Sequence, residues 1–378
     1  MGKYNKITVV HIGDFLGYPP VISLIENLLH HHVKVDLISS TEAHRIPVIM
    51  QNNSDFSYIC VPYDLGSGLK SRIVRVFLNR KTIRETVATS MKTSDILWTT
   101  TDVAIKVLGE QLFEYKHVMQ LMELIQRFPH FTNIKALDFP IDEFGRKAYK
   151  VIVPDLDRAY IQQAWWDLKE VPTVLPNKPY SINRGEISET TQVALDKIKT
   201  ETRKILLYSG VITPERNIGE FAAAIRNRED YVLYVIGKSL SGETYLNKLL
   251  DENPNIVYLG YHTAPSHLEF IQYAHIGLTP YVPTHSNLHP IINALYCAPN
   301  KIYEYSAFGV PMVGTNVLGL LRPFEQYNIG RCTKDMTPES VLECVEYIDE
   351  HHDEMSKNCL KFFEKDNLDK IVQDIIEG

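Results

Sequence analysis

Tyr296-Cys-Ala-Pro-Asn-Lys-Ile-Tyr-Glu-Tyr-Ser-Ala-Phe-Gly-Val-Pro-Met-Val-Gly314 decides how the rest of this 378-residue chain is read. Pro299 suits the first position of a helix and Gly309-Val310-Pro311 supplies a stop, so residues 299 to 308 are expected to form a short helix running into a strand. Lys301 falls in the first turn, where the helix dipole already places partial positive charge. On an isolated helix that costs roughly 0.3 to 1 kcal/mol unless an anion sits nearby. A phosphate removes the conflict, because free backbone N–H groups at a helix start bind it readily. Glu304 lies one turn on, on the same face. A carboxylate there can accept hydrogen bonds from both hydroxyls of a vicinal diol such as a ribose. A surface Lys–Glu pair beside a packed Tyr305/Phe308 face fits the same spacing.

The chain is long enough, at 44% hydrophobic residues, for two α/β domains with separate cores. A formal net charge of −7 argues against a general nucleic-acid binder. The five cysteines, Cys60, Cys297, Cys332, Cys344 and Cys359, are odd in number and contain no CxxC pair, which suits a reducing cytoplasm better than a disulfide framework. Residues 1–10 lead directly into a strand without the apolar region of a signal peptide. No run approaches the roughly 18 apolar residues that span a bilayer, so any membrane contact is expected to be peripheral, with the chain at the cytoplasmic face.

Ile7-Thr-Val-Val-His-Ile-Gly13 reads as a buried parallel strand ending in a glycine turn, followed by Asp14 and a helix carrying Val21, Leu24, Ile25 and Leu28. Val33–Ile38 returns as a strand, which gives a βαβ opening. The Gly13–Gly17 loop lacks GxGxxG and is not a dinucleotide fingerprint; an ordinary strand-to-helix turn fits it equally. Further strands are expected at 58–61, 95–100, 117–122, 150–154 and 172–175. Residues 70–92 carry Lys70, Arg72, Arg75, Arg80, Lys81, Arg84 and Lys92 against the single acid Glu85, with Ile73, Val76, Phe77, Ile83 and Val87 interspersed. This is the pattern of a basic helix lying on an anionic lipid surface, or of a solvated helix face.

Glu123 follows a strand in Met119-Gln-Leu-Met-Glu123, and carboxyl ends of strands line the ligand crevice of a doubly wound sheet. Such a carboxylate can serve as a general base in the crevice or cap the next helix. Asp155-Leu-Asp157 has the spacing of a metal-chelating pair, but its place before the helical run 158–168 makes the two acids cap and first-turn residues. His285 and His289 have the i, i+4 spacing of zinc ligands, yet Pro290 and the lack of a third ligand argue against a metal there. Pro176–Glu189 reads as a linker. After it, strands are expected at 204–210, 231–237, 256–260, 276–281 and 310–314, with helices between them. Amphipathic helices are expected at 338–348 and 366–376. His30-His31-His32 and His351-His352 read as solvated helix ends.

The string Pro299-Asn300-Lys301-Ile-Tyr-Glu304-Tyr-Ser-Ala-Phe-Gly-Val-Pro311 resembles the nucleotide-sugar motif of bacterial GT-B glycosyltransferases of the retaining surface-polysaccharide type, and is similar to the xanthan glucuronosyltransferase group. The resemblance implies an α/β GT-B fold of two Rossmann-like doubly wound domains facing a cleft. It implies an amino-terminal acceptor-binding domain over 1–178, a nucleotide-sugar-binding domain over 179–359, and a carboxyl-terminal helix from about 360 to 378 packing back on the first. It also implies a metal-independent transfer that needs no cofactor beyond a nucleotide-sugar co-substrate, a UDP-sugar rather than a GDP-sugar, onto a glycan or lipid-linked sugar in cell-surface polysaccharide synthesis.

On that resemblance the Gly13–Asp14 loop and Glu123 face the acceptor. Tyr208-Ser-Gly210-Val-Ile-Thr-Pro-Glu-Arg216 is similar to the loop in which a basic residue neutralises the leaving diphosphate, and a guanidinium can grip two phosphate oxygens at once. Arg216 and Lys301 share that task, with Lys238 nearby. Tyr261 and His262 stand where the family holds the base, and Tyr281 matches an aromatic packed beside it. The segment 284–298 stands over the donor sugar. Tyr296 and Val211 replace charges usual in the family. Those departures leave open a catalytically silent partner subunit, and the scaffold leaves open a nucleotide-sugar epimerase.

Overall fold

The computed structural model describes residues 5–63, 69–126, 139–182, 187–284 and 291–378, with side chains of the helix Leu69–Ser90 described from Phe77 onward. The described residues divide into two compact units. One holds the chain up to Pro176 together with Asn367–Gly378, and the other holds 177–284 and Ile291–Asp366.

The first unit is built on seven strands: β1 (Lys6–His11), β2 (Lys34–Ser39), β3 (Phe56–Cys60), β4 (Ile96–Thr99), β5 (His117–Gln120), β6 (Lys150–Val153) and β7 (Thr173–Val174). They form one parallel sheet in the order β3-β2-β1-β4-β5-β6-β7. Val9 sits at its centre, opposite Leu37 on one side and Trp98 on the other. Helices cover both faces of such a sheet, so its inner strands read as near-continuous apolar runs, and Ile7, Val9 and Val10 are fully buried. The helix Pro19–His30 starts on two prolines, which suit its first turn, and buries Val21, Leu24, Ile25 and Leu28. The helix Leu368–Glu377 completes this unit. Asp369 takes hydrogen bonds from Asn27 and pairs with His31, and Lys116 Nζ donates to the Ile376 carbonyl at 3.2 Å.

The second unit repeats the plan with six strands: β8 (Lys204–Ser209), β9 (Tyr231–Ile236), β10 (Ile256–Tyr258), β11 (Ile276–Thr279), β12 (Met312–Gly314) and β13 (Gly330–Cys332). The parallel order is β10-β9-β8-β11-β12-β13. Each sheet therefore reverses direction once, between β1 and β4 in the first and between β8 and β11 in the second. In open α/β sheets ligands bind outside the carboxyl ends of the strands at such a reversal.

Several local expectations are corrected. His31 and His352 are not solvated ends: His31 is tied to Asp369 at 2.8 Å, and His352 Nε2 meets the His275 carbonyl at 2.9 Å while the two rings stack. The basic stretch is helical, but Ile83 and Val87 are buried in the first unit's core and are not offered to a lipid surface. Among its described side chains, Phe77 and Leu78 are the exposed large apolar ones, at 69% and 58%. Its Ile73 and Val76 side chains lie outside the described set. The linker gives way at Ser188, whose hydroxyl caps the helix Glu189–Lys199. Among the described residues no helix is long and apolar enough to cross a membrane.

Candidate functional site

The helix Asn300–Ala307 follows Pro299, which holds the N-cap in extended conformation rather than entering the first turn. Tyr305 anchors it: the phenol donates to the Leu207 carbonyl at 2.7 Å and accepts from the Ser209 N–H at 3.2 Å, both at the end of β8. Lys301 is four residues earlier and so shares that face. Its ammonium is thereby laid against the loop that leaves β8. Gly210 there has φ +151°, and a Cβ on it would stand 2.6 Å from Lys301 Nζ. Glycine is needed both for the backbone angle and for the space the lysine occupies.

Arg216 closes a single turn, Pro214–Arg216, in the same loop, and Asn217 takes the left-handed conformation after it. The guanidinium carbon lies 4.0 Å from the centroid of the Tyr281 ring. Lys301 Nζ is 5.9 Å from the same centroid and 5.5 Å from that of Tyr208. Two cations thus rest against a pair of aromatic faces, which attract positive charge. Tyr281 is fixed in turn by Thr315, which accepts from its N–H at 3.0 Å and donates to its carbonyl at 2.7 Å. Burial, then the charge of Arg216, pushes the Lys301 ammonium down to about 8, with Glu304 opposing the shift.

Glu304 is buried at 5% exposure, and its Oε1 stands 3.3 Å from His267 Nε2. Burial alone would raise its pKa, but the charge and hydrogen bond of His267, with Lys301, hold it below the usual carboxylate value. Lys301 and Glu304 are therefore both turned into the protein, and the surface-pair alternative does not hold. Gly210, Arg216, Tyr281, Lys301 and Glu304 come together at the reversal point of the second sheet.

The other expected donor residues sit around this cluster. Lys238 is exposed just after β9, its carbonyl accepting from Ile212 N–H at 2.9 Å. Asn300 is half-buried at the start of the helix. Tyr261 is 51% exposed, whereas His262 is buried with Nδ1 on Thr191 Oγ1 at 3.0 Å and Nε2 on the Leu259 carbonyl at 3.0 Å. With both ring nitrogens engaged, His262 has only backbone groups to offer a ligand. His285 and His289, with most of the segment over 284–290, lie outside the described residues.

In the first unit, Gly13, Asp14 and Glu123 all follow carboxyl ends of strands. Gly13 has φ +121°, and its carbonyl accepts from the Ser39 hydroxyl at 2.8 Å. Asp14 caps the turn Phe15–Gly17 and pairs with Arg45 at 2.8 Å. Glu123 follows β5 with its carboxylate 3.5 Å from the buried Arg158. Asp155 accepts from the N–H groups of Asp157 and Arg158, so it is a helix cap. Among the described residues no group of three or more His, Cys, Asp or Glu side chains could hold a metal ion.

Sequence reasoning missed His267, which lies 37 residues before its partner Glu304 with no spacing to connect them. It also missed the aromatic support of Tyr208 and Thr315's hold on Tyr281, because each contact joins elements far apart in sequence.

Two parallel doubly wound units, each with polar residues gathered at its reversal point, place the chain in the double-Rossmann α/β class to which GT-B proteins belong. Solved structures with this fold match it over nearly the whole length. Anabaena HepE in complex with UDP-glucose has 13% identity and a TM-score of 0.72 over 99% of both chains. Sucrose-phosphate synthase from Thermosynechococcus elongatus has 15% identity and a TM-score of 0.66, over 98% of this chain and 94% of that one. A putative UDP-N-acetylglucosamine 2-epimerase from Listeria monocytogenes has 12% identity and a TM-score of 0.55, over 94% and 91%. No protein-family model matches the sequence, and no curated protein matches it.

Proposed function

We propose that this chain is a glycosyltransferase that moves a sugar from a nucleoside diphosphate sugar, held by the second unit, to a hydroxyl of a glycan or lipid-linked sugar, held by the first. The observation that carries this reading is the gathering of Lys301, which lies against Gly210, and Arg216 around the Tyr281 ring. Two cations gathered where burial already lowers the lysine's pKa repel one another, and a diphosphate relieves that repulsion. Glu304, one turn along, is the acceptor for the ribose diol.

In the reaction the bond between the anomeric carbon and the diphosphate oxygen breaks as the acceptor oxygen bonds to that carbon. The diphosphate leaves with the bonding pair, and Arg216 and Lys301 stabilise its charge by fixed electrostatics rather than through a metal. The acceptor proton passes to Glu123 or to the departing phosphate, in which case Glu123 orients the acceptor. A retaining outcome and a role in surface-polysaccharide synthesis rest on the motif resemblance. UDP is the favoured nucleotide because HepE, which shares the fold, is solved with UDP and UDP-glucose. A peripheral contact with anionic lipid at the cytoplasmic face would use the basic helix Leu69–Ser90 through the exposed Phe77 and Leu78.

A thermal-shift series with UDP, GDP, ADP and CMP tests the donor reading, because a bound nucleotide raises the melting temperature by mass action. UDP is expected to give the largest shift; no shift with any of the four rejects it. A second reading, epimerisation of a nucleotide sugar, is favoured by the epimerase among the structures of the same fold. Product formed from a UDP-sugar without any acceptor would select it.

A further inference from the structure

His11 ends β1 with no exposed surface, and its Nδ1 lies 2.9 Å from Thr100 Oγ1 at the end of β4. The Thr100 hydroxyl has one proton, and it points to the Val10 carbonyl at 3.2 Å. With the proton placed there, Thr100 Oγ1 accepts from His11 Nδ1–H and the lone pair of the neutral ring is on Nε2, a tautomer that belongs to the inference below and that the Nε2 resonance reads directly. That nitrogen is buried and has no partner among the described residues. A buried acceptor left unmade loses its hydration for nothing in return. Burial pushes the imidazole down to about 4 despite Asp14, so the ring stays a neutral acceptor at physiological pH.

The surroundings restrict what can complete it. A Cβ on Gly13 would stand 3.9 Å from Nε2, so the glycine leaves that side open. The Tyr18 ring covers the imidazole with centroids 4.6 Å apart, while Tyr18 itself is 41% exposed. Its phenol is pushed up by burial and then by the carboxylates of Glu123 and Asp102, and these two acids follow the carboxyl ends of β5 and β4. The whole group sits at the reversal point of the first sheet. The missing partner is an uncharged O–H donor, since a charge would not enter so dry a site. It should carry further hydroxyls for carboxylates and a C–H face for an aromatic ring. A pyranose has all three.

Building on the glycosyltransferase reading, we infer that His11 and Tyr18 form part of the acceptor subsite: the Tyr18 ring swings aside and carries the sugar face, His11 Nε2 accepts one hydroxyl, and Glu123 and Asp102 take its neighbours. His11 here is a binding and positioning group that keeps its Nδ1 proton and takes none from the acceptor during transfer.

The test uses the full chain with ring-15N histidine labelling and a panel of methyl glycosides of glucose, galactose and mannose. The His11 Nε2 resonance is expected to move upfield on saturation with at least one glycoside, as an accepting lone pair does. His11→Asn keeps a donor to Thr100 but removes the acceptor, and is expected to weaken that glycoside about tenfold, the worth of one hydrogen bond. Tyr18→Ala, at a part-exposed site that spares the core, is expected to weaken it similarly. UDP affinity is measured on every variant and should stay unchanged. An Nε2 resonance unmoved by the whole panel overturns the inference while UDP binding leaves the donor reading standing. A glycoside response in a chain that binds no nucleotide rejects the donor reading and retains the sugar site.

Discussion

Glu304 Oε1 and His267 Nε2 face each other at 3.3 Å, with their side chains only 6% and 13% exposed. The carboxylate is held below its ordinary pKa against the pull of burial. A depressed carboxylate contributes stability that is present above its unfolded value, about 4.3, and is lost as pH falls through the folded value. His267→Ala removes its main support. Urea titrations are expected to show a loss of about 3 kcal/mol at neutral pH, the size seen when one partner of a buried pair is removed. The acid-unfolding midpoint should also move to higher pH.

Lys301 titrates from about 8 rather than from 10.5. Between those values the unfolded chain binds more protons than the native one at this residue, so its contribution makes the fold more stable as pH rises. Lys301→Met is therefore expected to raise the melting temperature of the unliganded protein near neutral pH. The same variant should lose UDP binding by about a hundredfold, since a charge-assisted contact is worth roughly 1.5 to 3 kcal/mol. In the unaltered protein, calorimetry in buffers of differing ionisation enthalpy near the lysine's pKa should show proton uptake when UDP binds.

Arg216 offers a planar fork and an aromatic-stacked face that lysine cannot reproduce. Arg216→Lys is expected to weaken UDP by about tenfold although the charge is kept. Tyr281→Phe should leave affinity nearly intact, while Tyr281→Leu should cost about 1 kcal/mol through loss of the ring under the guanidinium. Titration calorimetry of the three variants distinguishes the stacking contribution from the charge.

Glu123→Gln is expected to lower kcat by about a hundredfold or more if the carboxylate accepts the acceptor proton. The UDP dissociation constant should not change. A loss confined to the acceptor KM would instead make Glu123 an orienting group. Steady-state kinetics with donor and acceptor varied separately measures both.

Chelation gives a further check. If Arg216 and Lys301 meet the diphosphate charge unaided, EDTA should leave turnover within about twofold of its starting value.

Most strands were legible because buried α/β strands announce themselves as local apolar runs such as Ile7–Val10 and Lys204–Tyr208, whereas the order in which each sheet pairs them is not a local property. Two later elements were missed. Gly330–Cys332 is three residues long without an apolar run, and the helix His352–Glu364 was hidden behind an expected histidine-rich end. At the second unit's site, Lys301 and Glu304 were legible because helical spacing is a property of adjacent sequence. His267, Tyr208 and Thr315 were not, because their roles depend on which loop ends the sheet order brings together. His11 was not legible either: a histidine among valines reads as core, and only its unmatched nitrogen distinguishes it.

The helix Leu368–Glu377 belongs to the first unit although the entire second unit is synthesised before it. During translation the early half must wait, its groove beside Asn27 and His31 uncovered, until residues beyond 366 leave the ribosome. Severing the gene at Pro176 would thus yield no self-sufficient amino-terminal fragment, and a nick near Asp366 would unsettle the half farthest from it in sequence.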